Sequence, residues 1–146
     1  MAGVIDTNIL LYAANKDAAE HARAKSFLER AASGVESWYL TEGIAYEFLR
    51  VATHAKVFQQ PLAWSDALSF LEALVQRVNV CWLELRENHW TILRQVAADL
   101  TQPSGNLFFD IRTVVLMKQH GIREIYSTDT DFLQFSGITV VNPLKG

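Results

Sequence analysis

The chain has 146 residues, half of them hydrophobic, enough for one domain with its own core and too few for two. A formal charge of −3 at pH 7 argues against phosphate affinity built on Lys and Arg alone. No apolar run approaches the roughly 18 residues that suggest a membrane span, and the N-terminus lacks the basic start and long apolar stretch of a signal peptide. The single cysteine, Cys81, excludes an intrachain disulfide, and its apolar surroundings at 78–83 predict a buried, inert thiol in a reducing cytosol. A soluble, unprocessed cytoplasmic protein without internal repeats is expected, as one domain over 1–146.

The chain opens MAGVIDTN. Val4 and Ile5 predict a short central strand buried on both faces of a parallel sheet. Asp6 then falls just beyond the strand's carboxyl end, where open α/β sheets keep their sites, and it is equally suited to cap a helix. A short helix is expected over 9–14. A longer one over 18–32 has Ala24, Phe27, Leu28 and Ala31 at helical spacing, Asp17 as N-cap and Gly34 as stop. A second strand over 37–40 precedes Thr41, the N-cap candidate of a helix over 42–54. In that helix Ile44, Phe48 and Val51 form an apolar stripe, and Glu47 between them is expected along the buried face. A carboxylate there needs a cation, either a basic partner such as Arg50 or a metal ion.

Residues 56–61 read as a loop. Phe58, Pro61, Leu62 and Trp64 are large for a connection, and either cover the core or form an apolar contact surface. A helix over 64–75 has Ala67, Leu68, Leu71 and Leu74 as its apolar positions. A strand over 78–83 and a helix over 87–100 follow, the latter burying Trp90, Leu93, Val96 and Ala97 and leaving His89 as a surface histidine. The loop TQPSG at 101–105 leads through Asn106 into a helix over 107–119 with Leu107, Phe108, Ile111, Val114 and Val115 inward. Asp110 lies in its first turn, where an acid ordinarily offsets the helix dipole. Strands over 125–127 and 138–141 close the chain. Between them Thr128 and Asp131 match a capping box, which leaves Asp129 outside the cap and beyond a strand end.

This alternation predicts a doubly wound α/β fold in which strand ends converge on one crevice. Asp6, Glu47, Asp110 and Asp129 supply oxygen ligands without cysteine or a histidine partner, a set suited to Mg²⁺ or Mn²⁺. With these four set aside, 13 basic residues face 12 acidic ones, a balance compatible with RNA. With VIDTN, Glu47 in YEFLRVATH, Asp110 in GNLFFD, STDTDF and the terminal NPL in hand, the chain resembles the PIN-domain nucleases, and within them the VapC-type ribonuclease toxins of toxin-antitoxin pairs.

The resemblance implies a Rossmann-like three-layer α/β/α fold with a short, mainly parallel sheet, and metal-dependent cleavage of RNA. It casts Asp6, Glu47, Asp110 and Asp129 as the catalytic, metal-binding quartet, with Asn8, Asn106, Ser127 and Asp131 in support. It also implies a homodimer and a cognate VapB-type antitoxin whose tail fills a groove beside the site. Ser127 stands where Thr is common and keeps the hydroxyl; Ile111 stands where a small residue is usual. Arg50 and Arg112, close in sequence to two of the acids, are candidates for substrate phosphate or for ion pairs. Two rivals are a haloacid-dehalogenase-like phosphohydrolase, whose second acid would stand where this chain has Asn8, and a PIN-like module that binds RNA or protein without cutting.

Overall fold

The computed structural model of the chain describes residues 2–145, so the two ends of the domain expected over 1–146 lie outside it. Among the described residues the order is β1 (Val4–Ile5), α1 (Thr7–Ala14), α2 (His21–Ser33), β2 (Trp38–Leu40), α3 (Glu42–Ala52), α4 (Trp64–Val75), β3 (Val80–Trp82), α5 (His89–Ala98), α6 (Leu107–Gln119), β4 (Glu124–Tyr126) and β5 (Thr139–Val141), with a single 3₁₀ turn at Thr130–Gln134 before β5.

The strands form one sheet in the order β3-β2-β1-β4-β5, every pair parallel rather than most of them. Val4 pairs with Tyr39 on one side and Ile125 on the other, so the shortest strand is the central one. Chain order runs outward from β1 through β2 to β3, then returns across β1 to β4 and β5. This reversal makes the carboxyl ends of β1 and β4 the switch point at which doubly wound sheets open a crevice. Val4 and Ile5 are fully buried, as a strand covered by helices on both faces requires. Gly3 permits the central pairing: a Cβ there would stand 2.1 Å from the Glu124 carbonyl oxygen.

Several helix ends differ from expectation for local reasons. Asp17 does not cap the second helix, because its own N–H turns back to Asn15 Oδ1 at 3.1 Å and further turns through residue 20 delay the start to His21. The third helix stops at Ala52, where the Thr53 hydroxyl donates to the Leu49 carbonyl at 2.7 Å, while Thr41 caps its start by accepting from Ile44 N–H at 3.1 Å. The helix over 107–119 has the expected bounds.

Four expected burials of apolar side chains are reversed. Cys81 is exposed, because β3 is an edge strand that turns only Val80 into the core. Trp90 and Phe108 are exposed and Leu68 partly so, since the core faces of α5, α6 and α4 are narrower than their apolar stripes. His89, expected at the surface, is buried. Its Nδ1 lies 2.8 Å from Gln119 Oε1 at the end of α6, and Gln119 Nε2 donates to the Arg86 carbonyl and Asn88 Oδ1. Phe58 joins the core, as one of the two readings of this segment expects, while Trp64 stays exposed.

Candidate active site

The first strand delivers Asp6 to the crevice still attached to the sheet, its N–H donating to the Tyr126 carbonyl at 3.0 Å. The side chain is buried and fixed at both oxygens. Oδ1 accepts from Thr7 N–H at 2.8 Å and so caps α1, while Oδ2 accepts from the Ser127 hydroxyl at 2.7 Å and from Asn8 Nδ2 at 3.3 Å. Asn8 Nδ2 also reaches Ser127 Oγ at 3.0 Å, and its Oδ1 accepts from Thr128 N–H at 3.3 Å. Ser127 Oγ in turn accepts from Asp129 N–H at 2.9 Å. One hydroxyl and one amide therefore tie the end of β1 to the loop after β4.

Asp129 differs from expectation in its local role. It is itself the cap of the 3₁₀ turn, Oδ1 accepting from Asp131 N–H at 2.8 Å, and Thr128 does not fill that position. Asp110, in the first turn of α6, is drawn into the same cluster. Asp110, Asp129 and Asp131 can each place a carboxylate oxygen within 4.8 Å of the other two.

Glu47 is exposed, not buried. The core arc of α3 is set by Ile44, Ala45, Phe48 and Ala52, and at 3.6 residues per turn Glu47 lies roughly 115° from its centre. That rotation turns it to a cleft of about 420 Å³ between α3 and α6, which it lines with Asp6 and Asp110. Arg50, Arg112 and the exposed Asn106 line the same cleft. Arg112 reaches across to the first turn of α3, where a Cβ on Gly43 would stand 3.0 Å from its Nη1.

Burial and crowding make these acids reluctant to ionise. Asp6 is pushed up to about 6, chiefly by desolvation, with Glu47 and Asp129 adding to it against the lowering effect of the Ser127 and Thr7 hydrogen bonds. Asp110 is pushed up to about 7, first by desolvation and then by Asp6, Asp129, Asp131 and Glu47, every one an acid. The acids thus crowd around Asp110: Asp6 and Glu47 line one cleft with it, and Asp129 and Asp131 are the two that come close enough to share a cation with it.

Three residues that sequence reasoning passed over belong to the site. Thr7 is buried at the cleft, and among the described residues its Oγ1 is the one buried side-chain polar atom without a hydrogen-bond partner. Tyr46 and Phe109 are exposed on the cleft walls. Each immediately precedes an acid of the cluster, and each falls off its helix's core stripe, the one sequence signal that marks them.

Residues 3–138 match the PIN domain. The chain is 35% identical over 146 residues to Ribonuclease VapC48 of Mycobacterium tuberculosis, covering all of both chains. It is 31% identical over 142 residues to VapC ribonuclease Mb2897 of Mycobacterium bovis, covering 97% of this chain and 95% of that one. Among solved structures, VapBC2 of Rickettsia felis bound to a promoter DNA fragment superposes with a TM-score of 0.68 at 16% identity, covering 97% of this chain and 98% of that one. VapC20 of Mycobacterium tuberculosis, described as a toxin that cleaves the sarcin-ricin loop, superposes at 0.64 with 17% identity, covering 92% and 97%. At such identities the superpositions speak to the fold.

Proposed function

The chain belongs to the PIN-domain family, and from that premise we propose that it is a metal-dependent endoribonuclease, the toxin of a toxin-antitoxin pair. The observation that carries the reading is the grouping of acids around Asp110 at the sheet's switch point, with Asp129 and Asp131 within reach of one ion beside it and Asp6 and Glu47 lining the cleft it shares with them. The ribonuclease names of its full-length relatives support it.

The residues fit a divalent ion such as Mg²⁺ or Mn²⁺. The donors are all carboxylate oxygens, the two most shifted acids are held up by burial and by other acids, and the Thr7 hydroxyl beside them lacks a partner. Asp6, Glu47, Asp110 and Asp129 would hold the ion, with Asp131 beside them. Its chemistry there would be to make a water more acidic and to offset charge on phosphodiester oxygens.

This chain's own residues do the positioning. Ser127 and Asn8 fix the Asp6 carboxylate, and Ser127 also orients the Asp129 backbone, so two of the acids keep their geometry without reorganisation. Arg50 and Arg112, on the cleft wall, meet the phosphates flanking the cut. Asn106 supports the same wall. The antitoxin partner, a homodimer and a cytoplasmic setting complete the proposal; complexes of toxin with antitoxin are among the structures with this fold, and among the described residues no helix is long and apolar enough to cross a membrane.

The test is incubation of the purified chain with single-stranded RNA in Mg²⁺ or Mn²⁺, with and without chelator. Internal cleavage that chelator abolishes is expected. Binding of RNA with no cleavage in either metal would leave the non-cutting module as the better description.

A further inference from the structure

Two large aromatic side chains stand in the cleft with nothing in the fold to account for them. Tyr46 on α3 and Phe109 on α6 are 66% and 64% exposed, yet both line the cleft that holds Asp6, Glu47 and Asp110. They come from different helices and directly precede Glu47 and Asp110 in sequence. Neither rests on the core, where Phe48 and Ile111 fill the corresponding inward positions at full burial. Leaving two such rings in water forgoes burial that their helices could have used. They share the cleft with two guanidinium groups, Arg50 and Arg112, so one recess combines flat apolar faces, cationic donors and an acidic cluster.

We propose that Tyr46 and Phe109 are stacking platforms for unpaired bases beside the bond that is cut. The inference rests on the ribonuclease reading and adds two substrate-positioning residues to it. Unpaired bases stack on aromatic rings with little regard to sequence, while a duplex keeps its bases stacked on one another and offers the rings nothing. The alternating charge fits the same occupant: phosphates meet Arg50 and Arg112 while bases lie against the rings. An apolar protein surface would find the arginines and acids of this recess costly to desolvate.

The experiment compares Tyr46→Ala, Phe109→Ala and the conservative Tyr46→Phe and Phe109→Tyr. It measures kcat and KM on a single-stranded oligoribonucleotide and on a blunt duplex of the same sequence. It also follows the quenching of a 2-aminopurine base placed beside the cut, with the Asp110→Asn background used to hold the RNA intact. Each alanine variant is expected to raise KM on the single strand roughly five- to a hundredfold with kcat within about twofold, and to lose the quenching. The conservative variants should retain both, and any cleavage of the duplex should be the same in every variant as in wild type. Unchanged KM and quenching in folded alanine variants that still cut RNA would overturn the stacking role alone. Unchanged RNA kinetics with altered sedimentation of the protein would assign the rings to a protein contact and also overturn it. A wild-type chain that neither binds nor cuts RNA would overturn the ribonuclease reading, and the stacking role with it.

Discussion

Replacement of Asp110 by Asn separates two roles that predict opposite signs. A first-turn acid that only offsets the α6 dipole stabilises by about 0.3 to 1 kcal/mol, and Asn at that position would lose it. Crowded by other acids, Asp110 behaves otherwise. Its folded-state midpoint is raised from 3.8 to about 7, so the native protein keeps a proton that the unfolded chain has given up. Stability of the metal-free protein therefore falls as pH rises from about 4 to about 7, and the full cost stands above that range. At 1.36 kcal/mol per pH unit the shift corresponds to ~4 kcal/mol. Solvent screening of a half-exposed group reduces this to about 1 to 2 kcal/mol.

In chelator at pH 8, Asp110→Asn should accordingly be about 1 to 2 kcal/mol more stable than wild type by urea denaturation, with the gain vanishing near pH 4. In Mg²⁺ the same variant loses an anionic oxygen from the cluster. Loss of even ~3 kcal/mol of transition-state stabilisation reduces cleavage roughly a hundredfold. A variant that is less stable at pH 8 in chelator, or that cuts RNA near the wild-type rate, would refute the assignment of Asp110.

Other outcomes follow from the same geometry. Mg²⁺ or Mn²⁺ should raise the melting temperature by mass action, and the rise should disappear when Asp6 and Asp129 are both changed to Asn; an equal rise in the double variant would place the ion elsewhere. Gly3→Ala should destabilise the protein by about 1 to 3 kcal/mol, because its new methyl meets the Glu124 carbonyl rather than a movable side chain. Denaturation that leaves this variant within a few tenths of a kcal/mol of wild type would mean that β1 and β4 separate more readily than their pairing implies.

The central strand was legible because Val4 and Ile5 leave a two-residue run no exposed option, and the 107–119 helix because its preceding loop and its apolar spacing agree. Burial on the outer elements was less legible. Apolar spacing identifies a stripe but not how much of it a neighbour covers, and Cys81, Trp90 and Phe108 lie where coverage stops. Glu47 shows the same limit at the site. Its spacing from Ile44 and Val51 suggested the core face, whereas the core centre of α3 is set by Ala45 and Ala52, small residues that spacing of large side chains overlooks. His89 could not be placed from its own helix, since its partner Gln119 lies 30 residues away.

The capping and functional readings of the acids were never exclusive, because a carboxylate has two oxygens. Asp6 gives Oδ1 to Thr7 N–H, and Asp129 gives Oδ1 to Asp131 N–H, so each is a true cap. In each case the backbone holds one oxygen and thereby fixes the direction of the other. For Asp6 that other oxygen is steadied by Ser127 and Asn8, and Ser127 also receives the Asp129 N–H, so both caps are set by one hydroxyl. A cluster of mutually repelling acids would otherwise rotate its side chains into solvent. Capping holds Asp6 and Asp129 in place, and local hydrogen bonding that alone would argue against function supplies the rigidity that the proposed cation site would require.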